Sequence, residues 1–455
     1  MRGVGRSHRL EEQKAGDRMK PEELYERHRA VLPDWISLYY EKPIELVRGE
    51  GYRVWDSEGN EYLDFFGGIV TTISGHAVPE IVEAVKEQAQ KIFHSSTLYL
   101  IESQVRLAEK LISLSPISGE QKVFFVGSGS EANEAALLFA TTYRSSSEVI
   151  ALRGSYHGGS FGTMGITGQG SWRPTPRTAL DVSYAMPPHR SYSPLYGRHD
   201  DPEELARACA EDVRSLIETS TTGRVAAFIA EPIQGVGGFV ELPPAYLSRV
   251  KEILDEYGVL FVSDEVQTAF GRTGSHFWGI EQSGVEPDLI TMAKGLGNGL
   301  AIGAVMGRAE VIDSLSPKQH ISTFGGNPIS TAGALANLEY ILKNDLQKNA
   351  DEVGGYLKER LVALAGEHRC VGEVRGRGLM LAIEIVGPGG EPDGDAAARF
   401  LEACRERGVL VGKGGLRGNA IRIAPPLTIT REAAGRAAEV FDEALTEVES
   451  KERVG

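Results

Sequence analysis

The chain has 455 residues, long enough for two domains or for one large domain with an appended lobe. Its 48 basic and 63 acidic residues give a formal net charge of −15, which argues against a nucleic acid or an anionic membrane as partner. The three cysteines, Cys209, Cys370 and Cys404, are far apart and form no CxxC pair, which argues against a disulfide framework and a zinc site. We therefore expect a protein of the reducing cytoplasm.

Residues 1–20 carry charges of both signs and contain no apolar segment, so they predict a disordered lead-in rather than a secretory signal. Further on, Tyr52–Trp55 and Glu61–Phe65 flank a polar turn and predict a β-hairpin. We assign residues 21–74 to the N-terminal part of a smaller domain. Apolar stretches such as Val225–Ala230 have the length of strands and are too short to cross a membrane.

From about Gly75 to Leu342, short β-branched or aromatic runs alternate with amphipathic segments of helix length. This alternation predicts an α/β domain over residues 75–342, built on a mostly parallel sheet. Ligands of such sheets bind beyond the carboxyl ends of the strands. The predicted strands are Lys122–Val126, Glu148–Leu152, Val225–Ala230, Val259–Ser263 and Leu289–Met292.

Strand character returns at Leu379–Val386 and Ile421–Ile423, between segments of helix length. We place residues 343–455 in the smaller domain, together with residues 21–74. The run Gly387-Pro388-Gly389-Gly390 predicts a loop within that domain.

A glycine-serine run, Gly127-Ser128-Gly129-Ser130, follows a predicted strand and precedes a helix. The N–H groups at a helix N-terminus and the serine hydroxyls are suited to bind a phosphate. The run also matches a capping box, Ser128-x-x-Glu131, which needs no ligand, and the sequence leaves both interpretations open. It is neither a Walker loop nor a GxGxxG, and the Walker-like run Gly412-Lys413-Gly414 lacks the spacing and the hydroxyl.

Two further runs follow strands of the same predicted sheet. In Tyr156-His157-Gly158-Gly159 an aromatic ring could stack on a planar cofactor, although the run taken alone favours an ordinary turn with a core aromatic. Glu231-Pro232-Ile233-Gln234-Gly235, taken alone, is typical of a turn. The histidines, including His157, show no metal-binding spacing, so we interpret most of them as structural or surface residues and expect no catalytic metal.

Lys294 and Asp264 carry a more specific signal. Lys294 follows a predicted strand and begins a glycine-rich run, and Asp264 ends another strand about thirty residues earlier. A lysine amine forms a Schiff base with the aldehyde of pyridoxal phosphate, and a carboxylate beside the pyridine nitrogen keeps that nitrogen protonated. The pair suggests a pyridoxal phosphate enzyme, whereas a surface lysine before a glycine turn is the simpler alternative.

Taken in order, these runs resemble the class III aminotransferases, pyridoxal phosphate enzymes of fold type I. The resemblance covers nearly the whole chain and implies an α/β protein with a mostly parallel seven-stranded sheet in the large domain and a smaller α+β domain from both chain ends. Within the family, the chain is most similar to the alanine–glyoxylate aminotransferase 2-like subgroup. The runs that carry the resemblance are Tyr52–Asp64, Gly127–Asn133, Tyr156–Gly158, Glu231–Gly235, Asp264–Gln267, Thr291–Gly295, Thr323–Pro328 and Arg422.

The resemblance implies pyridoxal 5'-phosphate as cofactor and assigns the residues around its ring. Lys294 would bind the cofactor aldehyde and move protons, and Asp264 would pair with the pyridine nitrogen. Tyr156 and Val266 would pack on opposite ring faces. Gln267 would contact the ring hydroxyl.

The resemblance also implies how the rest of the site is held. Glu231 would support it, and Gly129 and Ser130 would hold the phosphate. Thr323 would reach the phosphate from a neighbouring subunit, which implies a homodimer with shared active sites and leaves open whether dimers pair into tetramers. Arg422 would bind the substrate carboxylate.

Departures from other members bear on the substrate. Members that use 4-aminobutyrate or ornithine with 2-oxoglutarate commonly have a glutamate at the position of Val236, which masks the arginine corresponding to Arg422. Members specialised for 4-aminobutyrate often have an arginine where this chain has Gly159. The resemblance therefore implies a ping-pong reaction with alanine or a β- or ω-amino acid as donor and glyoxylate or pyruvate as acceptor. Val78, where the family usually has histidine, is expected to be structural.

Other functions stay open from the sequence. A pyridoxal phosphate lyase acting on a phosphorylated amine would use the same machinery, as would an aminotransferase of the 4-aminobutyrate/2-oxoglutarate type. A non-catalytic nucleotide-binding or regulatory α/β protein would have no need of Lys294 and Asp264 together.

Overall fold

A computed structural model of the chain describes residues 19–174, 178–193, 195, 197 and 201–452. Residues 1–18, most of the predicted lead-in, lie outside the described residues. The helices are α1 Pro21–Val31, α2 Gly67–Val70, α3 Pro79–Lys91, α4 Glu102–Ser113, α5 Gly129–Arg144, α6 Phe161–Ile166, α7 Pro202–Ser220, α8 Pro244–Tyr257, α9 Ala309–Ile312, α10 Pro328–Lys343, α11 Leu346–Glu367, α12 Gly394–Glu406 and α13 Arg431–Glu452. Within these ranges no helix is both long and apolar enough to cross a membrane.

The strands form a large sheet and three smaller ones. In chain order they are β1 Leu46–Glu50, β2 Arg53–Asp56, β3 Glu61–Asp64, β4 Gln121–Val126, β5 Glu148–Leu152, β6 Asp181–Ala185, β7 Ala227–Ala230, β8 Ile233–Gln234, β9 Val240–Glu241, β10 Leu260–Asp264, β11 Leu289–Met292, β12 Gly303–Arg308, β13 Val371–Arg377, β14 Met380–Ile385, β15 Val409–Leu410, β16 Gly412–Gly414 and β17 Ala420–Ile423.

The large sheet has seven strands in the order β4-β12-β11-β10-β7-β5-β6. Strands β11, β10, β7, β5 and β6 pair in parallel, whereas β12 runs antiparallel to both of its neighbours, β11 and β4. The predicted mostly parallel seven-stranded sheet is therefore confirmed. The sequence pattern does not predict β12, because glycines at 303 and 307 interrupt its apolar run.

Both faces of this sheet are buried, which explains why most residues of its central strands are apolar. In β5, Val149 and Ala151 belong to one hydrophobic cluster, whereas Ile150 and Leu152 belong to another. Successive side chains of a strand point to opposite faces, so the two clusters pack on opposite sides of the sheet.

Strands from the two ends of the chain pair with each other in a second sheet, β1-β2-β3-β15. The predicted hairpin is present, with Arg53 opposite Leu63. Strand β15 extends the hairpin in parallel, with Val409 opposite Leu63. A third sheet, β13-β14-β17-β16, contains the remaining C-terminal strands. This pairing agrees with a smaller domain from both chain ends, and the boundaries 21–74, 75–342 and 343–455 stay a prediction.

Candidate active site

A cavity of about 360 Å³ lies at the carboxyl edge of the seven-stranded sheet. Strands β4, β5, β7, β10 and β11 all end at this edge, so the loops that follow them converge there. Eight of the predicted site residues line the cavity: Gly129, Ser130, Tyr156, Glu231, Asp264, Val266, Gln267 and Lys294.

Lys294 begins a short 3₁₀ turn, Lys294–Leu296, close behind β11. Its φ is +38°, a left-handed value that costs a non-glycine residue about 1–3 kcal/mol and is typical of functional sites. Burial lowers the pKa of the Lys294 amine, while the carboxylates of Asp264 and Glu231 oppose that shift. A lowered pKa favours the neutral amine, which is the form that attacks an aldehyde or accepts a proton.

Asp264 ends β10 and is held by three neighbouring groups. Its Oδ2 accepts a hydrogen bond from Asn133 Nδ2 at 2.8 Å and lies 2.7 Å from His157 Nδ1. Its Oδ1 accepts the N–H of Val266 at 3.1 Å. The Thr291 hydroxyl donates to Asn133 Oδ1 at 2.7 Å, which fixes the orientation of that amide. The carboxylate is therefore held in one direction by a buried network.

His157 and Asn133 are site residues that sequence reasoning missed. The sequence interpretation of most histidines as structural or surface residues did not single out His157, whose buried ring contacts Asp264 in the cavity wall. Its Nε2 has no hydrogen-bond partner among the described residues. One signal was available for Asn133: it lies one helical turn after Gly129 on α5, so the two residues share a face.

Glu231 connects two of the converging loops. Its Oε1 accepts the N–H of Tyr156 at 2.9 Å, and its Oε2 accepts the N–H of Gly235 at 2.8 Å. Burial raises the pKa of Glu231 to about 7, with His157 lowering it and Asp264 raising it further. The Glu231 carboxylate thus connects the loop of Tyr156 to the glycine-rich loop that follows β7 through one hydrogen bond to each.

The glycine-serine run both caps a helix and forms part of the cavity wall. Ser128 Oγ accepts the N–H of Glu131 at 3.2 Å, as a capping box requires. The Glu131 carboxylate instead accepts the N–H of Gly127 at 2.9 Å. Gly129 and Ser130, the first residues of α5, line the cavity. Capping and anion binding are therefore compatible here.

The cavity has features that fit a bound cofactor with a phosphate and a polar ring. Gln267 Oε1, like His157 Nε2, is buried without a partner in the part of the chain that the structure describes. Leaving such a group unsatisfied costs about 1–3 kcal/mol, so a ligand that supplies partners would be stabilised. Gly158 has a φ of +136°, and a Cβ there would lie 2.9 Å from the Cα of Ser130. The loop can therefore approach the start of α5 closely.

Arg422, on β17, does not line the cavity but lies near it. The residue is only 6% exposed, and its guanidinium lies over the rings of Phe66 and Phe239. Nε and Nη1 have no hydrogen-bond partner among the described residues. The charge of Arg422 contributes to lowering the pKa of Lys294.

Thr323 is not brought to the cavity of its own chain. It is exposed, in the loop before α10, next to Phe324, whose side chain is 71% exposed.

Comparison with known proteins identifies the class of enzyme to which this arrangement belongs. The chain superimposes on the solved structure of an aminotransferase from Bacillus anthracis with a TM-score of 0.86 and 31% identity, covering 94% of this chain and 100% of that one. It therefore has the fold type I architecture of the pyridoxal phosphate transaminases. Residues 38–445 match the family Aminotransferase class-III. The chain belongs to this family and is an aminotransferase that depends on pyridoxal phosphate.

Two relatives support the predicted subgroup. Alanine–glyoxylate aminotransferase 2 homolog 2, mitochondrial, of Arabidopsis thaliana is 41% identical, over 93% of this chain and 87% of that protein. Alanine–glyoxylate aminotransferase 2, mitochondrial, of Homo sapiens is 38% identical, over 93% of this chain and 86% of that protein. The predicted resemblance is confirmed.

The same names correct the predicted cytoplasmic location, which is wrong by this comparison because both relatives are mitochondrial proteins by name. The prediction rested on cysteine usage. Cysteine usage does not distinguish one reducing compartment from another.

Proposed function

We propose that this aminotransferase moves an amino group from alanine, or from a β- or ω-amino acid, to glyoxylate or pyruvate by a ping-pong reaction. The observation that carries the proposal is the buried Arg422 guanidinium, whose Nε and Nη1 have no partner among the described residues. A guanidinium fork binds a carboxylate through two parallel hydrogen bonds. Val236 has no charge with which to mask Arg422, so the arginine stays available in both half-reactions.

The catalytic roles follow from the contacts around the cavity. When bound, pyridoxal phosphate supplies an aldehyde and an electron-accepting ring. Lys294 Nζ, with its lowered pKa, takes the proton from the reacting carbon of the donor, and a general base of this kind contributes about 10²–10⁴-fold. Asp264, oriented by His157 and Asn133, holds a proton at the ring nitrogen. Glu231 keeps the two adjoining loops in place.

Five further residues would hold the cofactor. Gly129 and Ser130 are the first residues of α5, and their N–H groups would bind the phosphate at the helix N-terminus, where the helix dipole favours an anion. Tyr156 and Val266 would pack on opposite faces of the ring. Gln267, whose buried Oε1 lacks a partner among the described residues, would contact the ring hydroxyl.

The proposal includes a homodimer in which Thr323 completes the phosphate site of the neighbouring subunit. Thr97 Oγ1 donates to the carbonyl of Ser322 at 3.4 Å and so joins two segments that expose large apolar side chains. An apolar patch of this kind is typical of a protein interface. The exposed side chains are Phe93, Leu98, Tyr99, Leu100, Ile321 and Phe324.

A panel of donors and acceptors tests the proposed substrates. Purified enzyme would be assayed for product with alanine, β-alanine and 4-aminobutyrate against glyoxylate, pyruvate and 2-oxoglutarate. We expect glyoxylate or pyruvate to be the best acceptor, and a large preference for 2-oxoglutarate would overturn the proposal. Release of ammonia and an aldehyde from a phosphorylated amine, without any keto acid, would instead indicate the lyase.

A further inference from the structure

The Arg422 side chain lies between two aromatic rings. Its Cζ is 5.0 Å from the ring centroid of Phe66 and 5.7 Å from that of Phe239. Phe239 is fully buried, and Phe66 is partly buried. A cation above an aromatic face is attracted by the ring quadrupole, and the attraction grows when the pair is removed from water. The rings therefore favour a particular orientation of the guanidinium.

A pair of glycines makes room for this arrangement. Gly412 and Gly414 are two residues apart on β16, so their missing side chains belong to the same face of the strand. A Cβ at Gly412 would overlap the Phe66 ring, and a Cβ at Gly414 would lie 3.0 Å from Arg422 Nε. The Gly412-Lys413-Gly414 run, which is not a phosphate loop, thus allows a ring and an arginine to lie against the strand.

The Phe66 ring is itself held by Tyr39. The two rings stack with centroids 5.9 Å apart and an interplanar angle of 22°. The Tyr39 hydroxyl accepts the N–H of Lys413 at 3.3 Å, which connects this stack to the middle of β16. Phe66 therefore stacks on Tyr39 and also lies beside the Arg422 guanidinium.

We propose that Phe66, Phe239, Gly412 and Gly414 form an arginine sleeve, a set of positioning residues that holds Arg422 in one carboxylate-binding orientation. The inference rests on the proposed function, in which Arg422 binds the substrate carboxylate. A guanidinium that is already oriented loses less conformational entropy when a carboxylate binds. The sleeve acts on carboxylate binding and leaves the proton transfers at Lys294 unchanged.

The test compares carboxylate binding in variants of the cofactor-loaded enzyme. Phe66→Leu removes one ring, Gly414→Ala pushes against Arg422 Nε, and Arg422→Met removes the anchor. Isothermal titration with propionate, which has a carboxylate and no amine, measures binding without turnover. We expect the propionate Kd to rise about tenfold in Phe66→Leu and Gly414→Ala, and Phe66→Tyr, which keeps the ring face, to retain binding within about twofold.

Kinetics separate positioning from general damage. In both sleeve variants, KM for alanine should rise, while the single-turnover rate of the first half-reaction with isopropylamine, which involves no carboxylate, and the visible absorption of the bound cofactor stay near wild type. Matched controls are Phe228→Leu, a buried ring in β7, and Gly355→Ala, where a Cβ meets no atom within 4 Å. Neither control should change the propionate Kd. If Phe66→Leu does not fold, Gly414→Ala decides the question.

Two results would overturn the sleeve, and they differ in what they say of the proposed function. The sleeve would be refuted if both sleeve variants bound propionate with the wild-type Kd while Arg422→Met lost binding. This result would leave the carboxylate-binding role of Arg422 intact. Retained binding in Arg422→Met would refute the carboxylate role of Arg422, and the sleeve with it.

Discussion

His157 Nδ1 lies 2.7 Å from Asp264 Oδ2, and the two side chains are 0% and 4% exposed. Because an ionised carboxylate only accepts hydrogen bonds, the imidazole donates to it through Nδ1. The same oxygen accepts from Asn133, so both donors fix the direction of the carboxylate. The residue that would tune the cofactor ring is therefore oriented by a loop from β5 and by helix α5.

Replacing His157 tests this orientation. We expect His157→Phe to lower kcat/KM for alanine about 10- to 100-fold, because a hydrogen bond to a charged group contributes about 1.5–3 kcal/mol. Steady-state assays of the purified variant give the measurement. His276→Phe, on a partly exposed loop outside the cavity, is the control and should behave like wild type. Equal activity in both variants would show that the contact does not matter for catalysis.

Replacing Lys294 tests the attachment of the cofactor. Lys294→Ala should lose the visible absorption of bound pyridoxal phosphate after dialysis, and its turnover should fall by at least about 10²-fold because the general base is missing. Absorption spectra before and after dialysis provide the readout. Lys251→Ala, on helix α8, serves as control. Visible absorption that survives dialysis in Lys294→Ala would mean that another lysine holds the cofactor.

Introducing an acidic residue at position 236 tests whether the uncharged Val236 leaves Arg422 available for a substrate carboxylate. A Cβ atom built on Gly414 would lie 3.1 Å from the Val236 carbonyl oxygen and 3.0 Å from Arg422 Nε. The backbone of Val236 is therefore close to the Arg422 side chain. In Val236→Glu, the new carboxylate should form an ion pair with Arg422. KM for alanine and glyoxylate should then rise about tenfold, because a carboxylate substrate must displace this charged partner. Val236→Gln has the same size without the charge and should raise KM far less. Similar KM values in the two variants would contradict the masking explanation.

Glu265 predicts a pH-dependent stability. Burial raises its pKa from 4.5 to about 7, against hydrogen bonds from Thr268, Ile280 and Gly279. Between these values the folded state retains a proton that the unfolded state has released, so stability falls by about 3 kcal/mol as pH rises from 4.5 to 7 and is constant above that window.

The experiment for Glu265 compares Tm of wild type and Glu265→Gln at several pH values. The variant does not titrate in this range, so any constant cost of the substitution cancels from the trend. We expect the Tm of wild type to decline relative to that of the variant between pH 4.5 and 7. A constant difference across the window would mean that Glu265 has no raised pKa.

The exposed apolar patch predicts a dimer that a single charge disrupts. Leu100, at 99% exposure, lies in the segment joined to the Thr323 loop. Leu100→Asp should shift the enzyme to monomers and weaken cofactor retention, because burying a carboxylate in an apolar interface is unfavourable. Analytical ultracentrifugation measures the first effect. Val362→Asp, at a 54% exposed apolar position on α11, should leave the assembly unchanged. A monomeric wild type would refute the shared site.

The sequence by itself predicted five of the seven strands of the large sheet and eight residues that line the cavity at its edge. These five strands are short runs rich in apolar residues, and the bounds of β5 and β11 agree with the prediction to the residue. Because parallel strands place their carboxyl ends at one edge, Asp264 and Lys294 could be predicted to meet there. The prediction of the strands depends on local periodicity and chain direction, which a sequence records, whereas the roles of most residues around the cavity came from the family resemblance.

Only the tertiary structure decided the contacts between residues that are distant in the sequence. Leu63 pairs with Val409, His157 reaches Asp264, and Arg422 lies beside Phe66. No local pattern encodes these pairs, because each depends on the way in which whole elements pack. Phe239, with a φ of +55°, likewise adopts a backbone conformation that its own preference disfavours and that the surrounding packing imposes. The position of Lys294 after its strand could therefore be predicted from local sequence, whereas the surroundings of Arg422 were decided by packing.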